Sequence, residues 1–367
     1  MSELRTTPLH DRHAALGASF TDFGGWSMPV RYTSDLAEHH AVRQAAGLFD
    51  ISHMAEFTVT GWGASAVLDA MLAGRLSTMR IGKAKYSLLL NENGGVVDDV
   101  IVYRRGEEDF LIISNAGNRA QVAAKLARFF GDVVITDISD DVALLAVQGP
   151  QARTIVEATA GIDAIAPALE DLGSYAWAEG RFHGVPLFIA RTGYTGEDGF
   201  ELMIENASAP ALWDALLAAG EPFGAVPAGL AARDTLRLEA GMPLHGHELS
   251  ADILPVQAGM ERVVALDKDT FTGKEALLAA PADLPVLVGL VAEGRRAGRA
   301  GYDVLDADGT VVGEITSGVL SPTLGYPIAM AFVPPALAEP GTPLFLDVRG
   351  TPIPATVTAL PFYRRTA

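Results

Sequence analysis

Apolar residues recur along this chain at two spacings, and the switches between them predict a mixture of helices and strands. Over 33–47 the apolar positions Leu36, Ala41, Val42 and Ala45 mark a helix, with Thr33 or Ser34 as its N-cap and Gly47 where a C-cap glycine belongs. A strand carrying Phe57 and Val59 then runs into Gly61, Trp62 and Gly63, and an apolar helix follows from Ala64 to Leu72. The runs YSLLL and VVDDVIVY flank Asn91 to Gly95, whose Asn and Gly residues supply turn conformations, so this stretch reads as a hairpin. FLIIS gives a further strand, Arg119 to Phe129 a helix, and DVVITDIS and VALLAVQG two more strands. That order is irregular; it predicts an α+β architecture and disfavours a parallel, doubly wound one. The segment AAPADLP at 279–285 lacks periodicity and reads as a linker. Beyond it the pattern is nearly helix-free, and VLVGLVA, VGEIT and LFLDV predict a small barrel or sandwich of short strands.

Composition narrows the class. The 367 residues exceed what one hydrophobic core sustains, so two or three domains are expected, and 49% apolar with 20% charged residues is an ordinary globular balance. No basic start followed by an apolar stretch opens the chain, and no run approaches the ~20 apolar residues of a membrane span, so the expected setting is the cytoplasm. The absence of cysteine excludes disulfides, thiolate nucleophiles and thiolate metal sites. A net charge of −18 repels phosphate backbones, so nucleic acid is not expected as a partner. One basic cluster, RRAGR at 295–299, reads equally well as a local patch for an acidic partner or as a solvated loop.

Several candidate constellations fail on their own terms. Gly61, Gly63 and Ala64 mimic the opening of a dinucleotide fingerprint but lack its third glycine and a parallel βαβ unit, so neither nicotinamide nor flavin is expected. His245, His247 and Glu248 resemble metal ligands without a third partner at a telling spacing, and a loop whose histidines satisfy hydrogen bonds is the plainer reading. The pairs His39/His40 and His10/His13 read as surface or capping residues. ITSGV lacks the first glycine of a serine nucleophile elbow.

Three segments hold more. Asp98 and Asp99 are adjacent on an otherwise apolar strand, and the two-residue period places them on opposite faces, Asp99 with Val97, Ile101 and Tyr103. A carboxylate there is either hydrogen-bonded structure or a tuned catalytic group. RTGYTGEDGFEL at 191–202 is a glycine-rich loop entering a strand, and Glu201 projects opposite Phe200 and Leu202; patterning alone makes it a solvent-facing residue more often than a ligand. AGLAARDTLRLEAGMPL at 228–244 reads as a helix whose Arg233 and Arg237 share a side, either to clamp an acidic ligand or to pair with Asp234 or Glu239.

Together with DFGGWSMPVRY (22–32), GLFDISHMAEF (47–57), KYSLLLNENGGVVDDVIVY (85–103), SNAGN (114–118) and VGEITSGVLSPTLG (312–325), these segments make the chain resemble the T-protein, or aminomethyltransferase, family of the glycine cleavage system over essentially its whole length. The resemblance implies a multi-domain α+β folate-binding region over 1–278, with one of its domains near 53–137, and a C-terminal β-barrel over 279–367. It also implies the reaction: an aminomethyl group on the lipoyl arm of H-protein passes to tetrahydrofolate, giving 5,10-methylenetetrahydrofolate, ammonia and the dihydrolipoyl arm. The family's catalytic carboxylate is the second Asp of the GG-x-x-DD segment, here Asp99. Glu201 matches the residue that reads the pterin and Arg233 its polar companion. Tyr86, Tyr103, Tyr194 and Met54 match pocket positions, Tyr363 a further ligand contact, and Asn115 a hydrogen-bonding neighbour. Tetrahydrofolate is then a co-substrate, with no metal, flavin or NAD, and lipoylated H-protein is the partner. Folate-dependent S- or N-demethylases of the same fold, and folate-binding relatives without catalysis, are the alternatives. The chain departs from the family pattern at Ala55, where Gly is frequent, and at His245, where an aromatic is common.

Overall fold

The computed structural model of the chain describes residues 4–127 and 132–365, and these fall into two compact units. The first is drawn from 1–69, 75–87 and 100–233, the second from 70–74, 88–99 and 234–367.

A seven-stranded sheet organises the first unit. Its order is Ile162–Ala166, Trp177–Phe182, Val185–Ala190, Gly199–Glu205, Val142–Gln148, Gly47–Asp50 and Val226–Pro227. All neighbours are antiparallel except the last pair. One face carries Leu145, Val147, Leu187, Ile189, Phe200, Leu202 and Ile204 into a core with Ile155, Val156, Leu212, Trp213 and Leu216 from the helices Ala152–Ala158 and Ala209–Gly220. Strict alternation along Gly199–Glu205 therefore turns Glu201 and Met203 to the other face. The expected helix of the N-terminal region is Asp35–Gln44, and Ser34 caps it by accepting from the Ala37 N–H.

A five-stranded sheet has the order Ala84–Leu90, Val96–Gly106, Asp109–Ser114, Ala55–Thr60 and Val134–Asp137. The expected hairpin is its first pair, and the tip of that hairpin, 88–99, belongs to the second unit. The tip is tight: a Cβ on Gly95 would stand 1.8 Å from the Ala251 carbonyl oxygen, so no other residue fits there. The helix expected over Arg119 to Phe129 is Arg119–Leu126, and the end expected at Phe129 lies outside the described residues.

In the second unit six strands close into a barrel in the order Val286–Ala292, Pro327–Val333, Val311–Leu320, Asp303–Leu305, Pro343–Asp347 and Pro352–Thr358, the last pairing back to the first. Closure leaves no strand edge unpaired. Leu290, Val304, Ile315, Ala329, Ala331, Leu344 and Leu346 fill the interior. The fold class read from the sequence, α+β with a C-terminal barrel, is the one observed.

Two histidine expectations are corrected. His39 is fully buried rather than on the surface. His13 is also buried: its Nε2 lies 2.8 Å from Asp50 Oδ2 and its Nδ1 2.9 Å from the Tyr32 hydroxyl. Side-chain order alone could not reveal the burial of His13, because it depends on partners from distant segments, Asp50 and Tyr32, that satisfy both ring nitrogens.

Candidate functional site

The glycine-rich loop is built before the site it carries. Arg191 and Asp198 close its two ends through a bidentate pair at 2.9 and 2.7 Å. Arg43 holds its middle by donating to the Thr195 carbonyl at 2.7 Å and to Glu197 at 2.9 Å. From beneath, Gln148 donates from Nε2 to the Thr192 carbonyl at 3.1 Å and accepts from the Thr195 hydroxyl at 3.0 Å. Glycine at 193 and 199 makes this approach possible, since a Cβ at either would lie 2.0 or 2.3 Å from the Gln148 amide.

So held, the loop presents Thr192 and Tyr194 beside Glu201. The Thr192 hydroxyl donates to Glu201 Oε2 at 2.5 Å and lies 3.1 Å from the Tyr103 hydroxyl, forming a Tyr103–Thr192–Glu201 chain. Arg233 lies 4.8 Å above the Tyr194 ring, a cation–π contact. Glu201 is only 8% exposed, which corrects the solvent-facing reading. Its directly opposed neighbours on the adjoining strands are Ala190 and Ala146, whose small side chains leave the carboxylate room.

Burial and charge act against each other here. Desolvation raises the Glu201 carboxyl above its ordinary range, against the Thr192 hydrogen bond and the Arg233 charge, which favour the anion. Desolvation likewise lowers Arg233, against Tyr194 and Glu201. Burial, with the Glu201 charge beside it, raises the hydroxyls of Tyr103 and Tyr175, so both stay protonated donors at neutral pH. His53, buried in the turn before Ala55–Thr60, is lowered to about 4 by desolvation and by the Arg233 charge, with Asp50 opposing.

The structure thus brings Tyr103, Tyr194, Glu201 and Arg233 into one cluster. Met54, Tyr86 and Asn115 are half-buried in the same unit. Asp99 and Tyr363 belong to the second unit, where the Tyr363 N–H donates to the Glu239 carbonyl at 2.8 Å. Asp98 is fully buried and Asp99 half-buried, the split that alternation predicts for adjacent strand residues. Arg237 is not a companion of Arg233: it is buried against Glu248 at 3.1 Å, Asp234 at 2.7 Å and the Ser317 hydroxyl. His245 and His247 satisfy backbone carbonyls, those of Val96 at 3.2 Å and Thr316 at 2.8 Å, as the plainer reading had it.

Reasoning from the sequence missed Thr192, Tyr175 and His53. Thr192 and His53 sit inside recognised segments, but nothing in a one-dimensional pattern says that the threonine bridges a tyrosine and a glutamate from other strands. Along the same sheet face a groove of about 680 Å³, lined by Trp177, Phe188, Met203, Glu179, Arg181 and Arg105, holds none of the site residues named above. Among the described residues no group of three or more His, Asp or Glu side chains is placed to hold a metal ion. No helix among them is long and apolar enough to cross a membrane.

Known proteins resemble this chain over its full length. The "GCVT N-terminal domain" family matches residues 9–268, and the "Glycine cleavage T-protein C-terminal barrel domain" matches residues 286–364. A relative from Saccharopolyspora erythraea named aminomethyltransferase is 53% identical, with all of both chains covered. One of the same name from Cutibacterium acnes is 54% identical, again over all of both chains. The crystal structure of glycine cleavage system aminomethyltransferase T from Bartonella henselae is 37% identical and superposes with a TM-score of 0.90, covering 98% of each chain.

Proposed function

This chain belongs to the glycine cleavage T-protein family and is an aminomethyltransferase, and from that premise we propose how its residues divide the work. The substrate is an aminomethyl group carried on the sulfur of a lipoyl arm of H-protein, and the acceptor is tetrahydrofolate. The carbon exchanges its bonds to nitrogen and sulfur for bonds to two folate nitrogens. The two folate N–H hydrogens end on ammonia and on the dihydrolipoyl sulfur.

Glu201 and Arg233 read the pterin. A carboxylate offers two acceptor oxygens to the fork of 2-amino and ring N–H donors, while Arg233 supplies donors to acceptor atoms of the ligand. Tyr194, Tyr86, Tyr103 and Met54 provide the faces and edges on which flat rings pack, and Asn115 and Tyr363 add polar contacts. Asp99 is the catalytic carboxylate. As ammonia departs, the carbon gains cationic iminium character, and a fixed anion beside it lowers that barrier and orients the attacking amine. We read 1–278 as the folate-binding region and 279–367 as the barrel domain, with the cytoplasm as the setting.

The observation that carries this reading is the buried Glu201 carboxylate, bridged by Thr192 to Tyr103 and balanced by the Arg233–Tyr194 pair, in a chain that matches aminomethyltransferases end to end. The deciding experiment is Asp99→Asn. Tetrahydrofolate binding is expected to persist while turnover with aminomethylated H-protein falls by about 10² or more, the usual scale for losing an acid–base or charge-stabilising group. Unchanged turnover would remove Asp99 from the mechanism. Absence of ammonia release by the unmodified enzyme would instead favour the demethylase alternative.

A further inference from the structure

The turn that leads into the strand Ala55–Thr60 is fastened on both sides of His53. Before it, the Ser52 N–H donates to Asp50 Oδ1 at 2.9 Å and the Ser52 hydroxyl bonds the backbone of Leu144. After it, the Met54 N–H donates to the Ile51 carbonyl at 3.1 Å. The ring itself stands edge-on to Phe23, with centroids 5.4 Å apart. His53 is therefore held in place, at 3% exposure, yet its Nδ1 meets no hydrogen-bond partner among the described residues.

Such an atom is an exception in a folded protein, because a buried polar group without a partner forfeits its hydration and regains nothing. The exception here has a location that gives it a use. The charge of Arg233 is felt at the His53 ring, so the histidine lies within electrostatic reach of the Glu201–Arg233 cluster. It also directly precedes Met54, one of the residues assigned to the ligand pocket. Burial and Arg233 together keep the ring uncharged at neutral pH. An uncharged imidazole offers one N–H and one lone pair without repelling the guanidinium.

We propose that His53 is a further ligand-binding residue of this site, its Nδ1 edge making one hydrogen bond to the polar rim of the pterin heterocycle bound at Glu201 and Arg233. The proposal rests on the folate reading above and adds a specificity contact to it. A heterocycle lacking a hydrogen-bonding atom at that rim leaves Nδ1 unsatisfied and is rejected. Asp50, the other charged group acting on the ring, is itself engaged by His13, Thr7 and Ser52 and so remains a fixed background charge.

Three substitutions test this, read by tetrahydrofolate Kd, thermal midpoint and steady-state kinetics of the full chain. His53→Leu keeps the bulk and removes the polar edge. His53→Asn places an amide atom where Nδ1 stood, and His53→Gln places one nearer Nε2. We expect His53→Leu to raise the folate Kd about tenfold, the scale of one buried hydrogen bond, with KM rising more than kcat falls. His53→Asn is expected to recover most of that affinity and His53→Gln little of it. Equal Kd values for wild type and His53→Leu would overturn the proposal, as would a loss of affinity in all three variants that tracks a falling thermal midpoint. Should His53→Leu fail to fold, the contrast between Asn and Gln decides alone, and equal binding by the two overturns it. Glu201→Gln is the control that separates the two levels. If it weakens folate binding and His53→Leu does not, only the histidine assignment is lost. If wild type binds no tetrahydrofolate, the functional reading fails and this proposal fails with it.

Discussion

At the scale of single residues, Thr192 has a disproportionate role for so small a side chain. Its hydroxyl joins Tyr103 to Glu201 and, by engaging Oε2, fixes the orientation of the carboxylate. Thr192→Val keeps the shape and leaves two buried polar groups without that partner, so folate affinity is expected to fall about tenfold, on the ~1–2 kcal/mol scale of such losses, measured by calorimetric titration. The Glu201 carboxyl is raised by burial, and in the proposed role it would accept from two N–H donors only when ionised. Tetrahydrofolate binding should therefore tighten as pH rises from the ordinary glutamate value through the raised one, and then level off. In Glu201→Gln that rise should vanish from the pH profile; its persistence would mean that another group titrates with binding. The same raised value means that Glu201 contributes stability to the free protein at low pH, lost as pH climbs through it. Binding and stability thus lean in opposite directions at this residue.

At the scale of elements, the loop 191–198 is closed at its ends and packed from below. Gln148 fills the space that side chains at 193 and 199 would need, and the loop cannot move away without breaking the Arg43–Glu197 pair and its hydrogen bonds to Gln148. Gly199→Ala is expected to cost about 1–3 kcal/mol, the usual penalty for overpacking a close contact, seen as a lowered thermal midpoint. Because Thr192 rides on the same loop, folate affinity should fall in parallel. A variant of unchanged stability and affinity would show that Gln148 yields, and that the loop is looser than its contacts imply. The hairpin Ala84–Leu90 and Val96–Gly106 illustrates a different division of labour. Its residues alternate, so Asp98 is sealed inside while Asp99 is left half-buried, and on the proposed reading one strand serves both structure and chemistry.

At the scale of the whole molecule, charge is the dominant feature. Under the proposed function, a net charge of −18 would oppose the approach of an acidic lipoyl carrier, and docking would then rely on local positive potential. Arg295, Arg296 and Arg299 are exposed on the loop between Val286–Ala292 and Asp303–Leu305 of the barrel, and only Arg299 among them is seen to donate to a backbone carbonyl, that of Gly318. Replacing the three by glutamate is expected to lower kcat/KM for aminomethylated H-protein several-fold at low salt. The deficit should shrink at high ionic strength while the tetrahydrofolate Kd stays the same. An unchanged rate at low salt would place the docking surface elsewhere.

Much of this protein was legible in one dimension because its causes are local. Two-residue and helical periodicities come from backbone geometry, so the hairpin around Asn91 to Gly95, the helix capped by Ser34, the strand-rich tail and the opposite faces of Asp98 and Asp99 could all be read from side-chain order. The resemblance of the motifs supplied the proposed site residues for the same reason, since it compares strings. What the tertiary structure alone decided is which groups meet. The pattern could not show that Ala146 and Ala190 flank Glu201, because strand pairing brings distant segments side by side. Nor could it show that Thr192 reaches Tyr103, or that His13 and His39 are buried. Burial of a polar side chain depends on partners that arrive only when the chain folds, and the free energy of burying it depends on those partners more than on the residue itself. For Glu201 that distinction is the whole difference between a solvated strand residue and a buried carboxylate bridged to Tyr103.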